Sequence, residues 1–246
     1  MMKSALVRPV RIVCAVVILF WFQLFAGKTG HVVADLFNYD GIDPYDVFAA
    51  NCVHHLVMFA VSLLVIILLT KSFALKVHFG LGNKDLGKKF VLIFTLICVV
   101  MAVGSHIFMK LNNNLPKYEF PLKANPIIGT IVFQLLFTGP AEELMYRMLP
   151  IGILALAIES KQDSSKTFTS EVLLAAFLFA CAHMKWTFSP FNIQFDLFAI
   201  AYAFAMGVVQ GVAYHTCKSI AYPMLMHSIS NVLMVTTGYV FVALST

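Results

Sequence analysis

Three short patterns in the second half of the chain set ionisable and amide side chains among apolar residues. The first is TGPAEELMYRMLP, which carries Glu142, Glu143 and Arg147. On an α-helix Glu143 and Arg147 stand four residues apart and share a face, so their charges compensate each other. Glu142 points roughly 100° away from that pair. A carboxylate free of such a pair is the group a hydrolase uses as general base, whereas the same three residues also read as an ion-paired knot at a helix end.

The second pattern is FLFACAHMKW, with Phe179 and His183 one turn apart. One histidine on an apolar helix is as readily a packed core residue as a functional one. The third is PMLMHSISN, in which His227 and Asn231 are again four apart and project together. An imidazole N–H and an amide N–H aimed at one point suit the negative charge that develops on a carbonyl under attack. The same pair also serves as interhelical glue.

These groups need elements to hold them, and the composition limits what those are. Of the 246 residues, 60% are hydrophobic and 12% are charged, and the mean hydropathy is +0.86. A soluble domain has about a quarter charged residues, and a disordered chain has fewer apolar ones. A polytopic all-α transmembrane bundle of about seven spans, with six to eight as the range, is the expected fold. The apolar runs lie near Val10–Gly27, Val53–Leu75, Phe90–Met109, Pro126–Ile158, Val172–Phe191, Leu197–Tyr214 and Ile220–Leu244, each to be compared with the ~20 residues a crossing needs. The fourth run is too long for one perpendicular crossing, and Pro140 is expected to open its helix just before the carboxylates. Residues 1–125 read as accessory or substrate-shaping helices and 126–246 as the catalytic core.

Charged groups inside spans are costly and mark functional sites. Glu142 is the midpoint of its run, His183 falls near the middle of the next, and His227 and Asn231 lie seven and eleven residues into the last. At 1.5 Å per residue all four approach the bilayer midplane. Three helices bringing polar groups to one depth point to one site. Gly207 and Gly211 in GVVQG are spaced for close helix packing.

Seven crossings put the N-terminus, Ser72–Lys89, Glu159–Ser170 and the Tyr214–Ser219 turn on one side. With Lys71 included, about eleven of the 17 basic residues gather there, and the acidic stretch Lys28–Cys52 falls opposite. The positive-inside rule then predicts a cytoplasmic N-terminus, in an integral membrane protein expected in a bacterial plasma membrane. The first run reads as a retained anchor, because no small-x-small cleavage site clearly follows it. The five cysteines are scattered and unpaired in pattern, as buried thiols are. The lysines lack the aromatic interleaving of a nucleic-acid surface, so the expected partners are the bilayer and a peptide or membrane-protein substrate, with no nucleic acid.

Together, the EExxxR of Glu142, Glu143 and Arg147, the FxxxH of Phe179 and His183, and the HxxxN of His227 and Asn231 resemble the CPBP family. This family comprises the CAAX proteases and bacteriocin-processing enzymes, also called the Abi family, of intramembrane proteases. The resemblance covers roughly Pro126 to Val240. It implies that Glu142 and His183 activate a water, that His227 and Asn231 steady the oxyanion, and that Glu143, Arg147 and Phe179 are structural support. Zinc held by Glu142, His183 and His227 stands as one cofactor reading. A metal-free glutamate-dependent site is the other, and no HExxH is present to decide between them.

The expected function is an endopeptidase that processes a peptide precursor, such as a pheromone or bacteriocin, or a CAAX-type protein. A non-catalytic immunity or scaffold protein and a small proton-coupled transporter are the alternatives. His31, His54, His55, His78, His106 and His215 match none of the three motifs and read as interfacial or structural.

Overall fold

The structure, a computed structural model, describes residues 2–159 and 167–245; the expected Glu159–Ser170 loop lies largely outside them. Seven helices account for most of the described chain. They are α1 (Met2–Ala34), α2 (Ala49–Phe73), α3 (Lys84–Leu111), α4 (124–158), α5 (Ser170–Ala182), α6 (Leu197–Cys217) and α7 (Ala221–Ala243). A short antiparallel hairpin of β1 (Lys185–Phe188) and β2 (Phe191–Gln194) links α5 to α6, with Lys185 opposite Gln194 and Phe188 opposite Phe191.

The polar punctuation of the sequence sets several helix ends. Asp43 accepts hydrogen bonds from the backbone N–H groups of Phe48 and Ala49, at 2.6 and 2.8 Å, and so closes the start of α2. Asn83 and Asp196 cap α3 and α6 in the same way, through Leu86 and Ala199. These side chains satisfy donors that a helix start leaves open.

Among the described residues, five helices are each long and apolar enough to cross a bilayer: α1 from Val7, α2, α3, α6 and α7. No more than 28% of the most apolar stretch of α1, α2 or α3 is buried in protein, so their remaining apolar surface is left for lipid. α4 is longer still, at about 50 Å. The expected opening at Pro140 is not what the backbone does. The helix continues through two π-helical segments, Gln134–Thr138 and Leu144–Met148, on either side of Gly139–Glu143. A wider turn absorbs the missing proline N–H without a break, and such π-bulges recur at functional sites.

The expected fifth span, Val172–Phe191, is also corrected. α5 ends at Ala182 after 13 residues, and His183 is its C-terminal cap rather than a mid-helix residue. Pro190 lacks a backbone N–H and disfavours helix in the residue before it, so the run turns back as a hairpin. Trp186 and Phe188 of that hairpin pack on Phe20 and Trp21, the centre of α1's span, with ring centroids 5.1 and 5.2 Å apart.

The ends of the bundle sort as the charge pattern requires. Arg11 pairs with Glu159, Asn83 N–H donates to the Cys217 carbonyl, and Ile220 N–H donates to that of His78. These contacts collect the basic connections at one end. At the other, Asn125 donates to the Ile42 carbonyl, and Tyr118 packs on Tyr239. The core between the ends is built on α4, where Leu144, Met148, Leu149, Ile151 and Leu154 are almost wholly buried. α5 meets α6 closely: a Cβ on Gly207 would lie 3.0 Å from Ala176, and one on Gly211 would lie 2.9 Å from Val172. All five cysteines are free thiols, three of them buried.

Candidate active site

α4 carries the carboxylates of the site. Between its two π segments Glu142 and Glu143 project in different directions, as their 100° offset requires. Glu143 is fully buried and lies 3.4 Å from Arg147, its i+4 neighbour, which is also fully buried. Arg147 Nη2 donates to Gln210 Oε1 of α6 at 2.5 Å, and its guanidinium carbon stands 3.7 Å above the centre of the Phe179 ring. A carboxylate, an amide oxygen and an aromatic face thus surround the cation. This is the company that makes a buried arginine tolerable.

Glu142 faces away from this knot and is half-buried. Its Oε1 lies 3.3 Å from Nε2 of His55 on α2, and its Oε2 lies 3.7 Å from Nε2 of His227 on α7. His55 is fixed from behind, because its Nδ1 donates to the carbonyl of Asn51 at 2.9 Å. A ring that donates through Nδ1 presents a lone pair at Nε2 when neutral, so its contact with Glu142 needs one proton, on the ring or on the carboxyl group. His227 is fixed by the second carboxylate: its Nδ1 lies 2.7 Å from Glu143 Oε1. The adjacent glutamates therefore divide the work. Glu143 joins the Arg147 knot to His227, and Glu142 remains open to the space in front.

That space is a cavity of about 600 Å³, lined by Glu142 and Tyr146 of α4, by His54, His55 and Met58 of α2, by one face of α1, and by Ala182 at the end of α5. His183 is exposed beside it and within electrostatic reach of Glu142. Its Nδ1 donates to the Phe179 carbonyl at 2.9 Å, and its ring packs edge-on against Phe179 with centroids 4.6 Å apart. Nε2 is thereby left to accept a water proton. Asn231 donates through Nδ2 to Gln134 Oε1 at 2.9 Å, and Thr138 donates to the same oxygen. An amide nitrogen carries two hydrogens, so one N–H of Asn231 is left for another acceptor.

The fit of zinc to Glu142, His183 and His227 is tested by their surroundings. Among the described residues no group of three or more His, Cys, Asp or Glu side chains is gathered as a metal site. Glu142 turns one oxygen to His55, and His227 gives Nδ1 to Glu143. As arranged, these side chains do not form a zinc site.

The structure brings Glu142, Glu143, Arg147, Phe179, His183 and His227 into one connected set and links Asn231 to it through the π segment of α4. Three partners were missed in the sequence. His55 reads from the sequence as interfacial or structural, although an HH pair at His54–His55 inside an apolar run obeys the same rule that marks His183. Gln210 was hidden in GVVQG, where the glycines drew the reading, and Gln134 lacked any motif. His54 and His31 also line the cavity, their rings tilted by 33° with centroids 3.9 Å apart.

Residues 124–233 match the family model described as Rce1-like, type II CAAX prenyl endopeptidase. No curated protein matches the chain. No solved structure does either. The matched region begins at the first residue of α4 and ends two residues beyond Asn231, so it holds all three motifs and the knot around Arg147. The segment 124–233, which carries all three motifs, is therefore similar to the Rce1-like CAAX prenyl endopeptidases, and it is set in a bundle of helices long and apolar enough for a membrane.

Proposed function

We propose that the protein is an intramembrane endopeptidase in which Glu142 acts as general base on a water held against His183. The observation that carries this reading is the meeting of His55 and His227, from two further helices, at the Glu142 carboxylate, at 3.3 and 3.7 Å, with Glu142 and His55 lining one cavity. A carboxylate flanked by two imidazoles in a pocket open to water is arranged for proton transfer.

In the proposed sequence, His183 Nε2 accepts one proton of the water in a hydrogen bond, and Glu142 takes the other. The oxygen attacks the peptide carbonyl, and the C=O π electrons move onto its oxygen. His227, protonated on both nitrogens, donates Nδ1–H to Glu143 and Nε2–H to that oxyanion, and the free N–H of Asn231 donates beside it. The carboxyl proton of Glu142 then passes to the leaving nitrogen as the C–N bond breaks, giving a carboxylic acid and an amine. Glu143, Arg147, Gln210 and Phe179 keep His227 and the α4 backbone in register.

The substrate proposed is a CAAX-type protein or a peptide precursor, and the family description supports the first. The immunity-protein and transporter readings gain no observation of their own. Comparative peptidomics of cells carrying the parent or Glu142→Ala chain tests catalysis and names the substrate together. A substrate peptide that accumulates only with Glu142→Ala is expected. A folded, purified Glu142→Ala protein that cleaves that substrate at the parental rate would overturn the assignment.

A further inference from the structure

The cavity in front of Glu142 is bounded on one side by α1, which lies wholly outside the matched region 124–233. Its α1 lining includes Phe20, Gln23, Leu24, Gly27, Lys28 and His31, at the three- and four-residue steps that make one helical face. The lining continues to Asp35, so the wall runs about 20 Å along the helix axis, the length of roughly six residues of extended peptide. It passes from aromatic and aliphatic residues at mid-span to charged ones at the end of α1.

Two residues on this face are odd if α1 is only an anchor. Gln23 is 5% exposed, yet among the described residues its amide nitrogen has no hydrogen-bond partner. Polar groups buried to that degree are nearly always partnered, and an orphaned donor is unfavourable. Four residues on, Gly27 leaves the wall open, since a Cβ built there would meet nothing within 4 Å. A buried donor lacking an acceptor, beside an unfilled groove leading to a carboxylate, fits a chain with carbonyl oxygens to offer.

We propose that this face of α1 is the substrate-binding wall. It takes an extended peptide segment, Gln23 donates its amide N–H to a backbone carbonyl of that segment, and Gly27 leaves room for the chain to pass. The inference rests on the protease reading and extends it: recognition lies on a helix outside the family region. A backbone carbonyl is present in every peptide, so Gln23 holds the substrate in place without selecting its side chains.

The test uses the full chain, purified in detergent, with two fluorescent internally quenched peptides, one prenylated at a C-terminal CAAX cysteine and one unmodified. Binding is measured on the Glu142→Gln protein, which separates it from turnover, alone and combined with Gln23→Leu or Gly27→Leu. Gln23→Leu is expected to weaken binding of at least one peptide about fivefold, as loss of one hydrogen bond does. That loss should vanish when the matching peptide unit is replaced by an alkene isostere. Gly27→Leu, which projects into open space, is expected to keep the thermal midpoint and to abolish binding. Unchanged affinity in both variants, or no binding of either peptide, overturns the proposal. A parent protein that binds a peptide tightly but never cleaves it overturns the protease reading instead, and leaves the binding wall standing.

Discussion

The imidazole of His55 and the carboxylate of Glu142 meet at 3.3 Å, from helices on opposite sides of the boundary where the family region begins. His55 has no other protein partner for Nε2 among the hydrogen bonds described, and its Nδ1 is tied to Asn51. On the proposed mechanism it is a positioning residue that orients Glu142. Replacing His55 by Leu is expected to lower kcat by about ten- to a hundredfold, the loss of one hydrogen bond to a charged group, with KM little changed. His55→Gln should recover part of that loss, because its amide reaches the same oxygen. A purely structural role would instead lower the thermal midpoint and leave kcat per folded molecule intact, which single-turnover assays and thermal scans separate.

Arg147 answers to stability rather than to rate. Its charge is fully buried among Glu143, Gln210 and Phe179, so Arg147→Ala leaves Glu143 uncompensated. A loss of about 3–5 kcal/mol is expected. Glu142→Gln, at a half-buried position outside the knot, is expected to abolish cleavage and keep the parental melting profile. Thermal unfolding followed by thiol reactivity of the buried cysteines gives the comparison.

Gly139 sits where α4 packs tightly against α7. A Cβ there would come within 2.4 Å of Ser228 Oγ and 2.5 Å of the Met224 carbonyl oxygen. Since one of these is backbone, Gly139→Ala must push the helices apart and separate Glu142 from His227. Activity is expected to fall at least tenfold, and Gly139→Ala with Ser228→Ala should regain only a fraction, because the carbonyl stays. Kinetics of the single and double variants decide it.

Much of this arrangement was legible in the residues alone. Apolar run lengths gave seven helices, and the 100° offset between adjacent positions foretold that Glu143 would join Arg147 while Glu142 stood free. The EExxxR, FxxxH and HxxxN spacings marked the groups that the structure links. What escaped was set by tertiary contact. Nothing local distinguishes His55 from His106, which donates to the Ala102 carbonyl far from the site. The apolar run through Phe191 hid the end of α5, because hydrophobicity continues where the backbone changes from helix to hairpin. Pro140 reads as an opening, whereas the helix continues through two π segments that lie in tertiary contact, the first against α7 and the second against α2, α5 and α6.

The charge pattern predicts membrane orientation. Single cysteines at Gly80 and at Asp40 lie in connections at opposite ends of the bundle. With a cytoplasmic N-terminus, a membrane-impermeant maleimide on intact cells is expected to label Asp40→Cys and to spare Gly80→Cys until the cells are opened. The parent chain gives the background from its own thiols. The reverse pattern would invert the topology.

Metal dependence has a direct measurement. The mechanism through Glu142 and His183 predicts full activity after exhaustive dialysis against a strong chelator, with less than one zinc per ten chains by elemental analysis. Activity lost to the chelator and restored by zinc alone would move Glu142, His183 and His227 into a coordination sphere, which the side chains would have to rearrange to form.

α5 stops at Ala182, and the hairpin that follows leans on Phe20 and Trp21 at the centre of α1. Oil offers nothing to the bare amides of such a segment, so they must look toward protein or toward moisture. Beside α5 the helical cover consequently ends level with the middle of α1's apolar stretch. On the proposed mechanism, the interruption that lets His183 project would also be the path by which water reaches it, and a substrate would become wet without crossing the whole lipid layer.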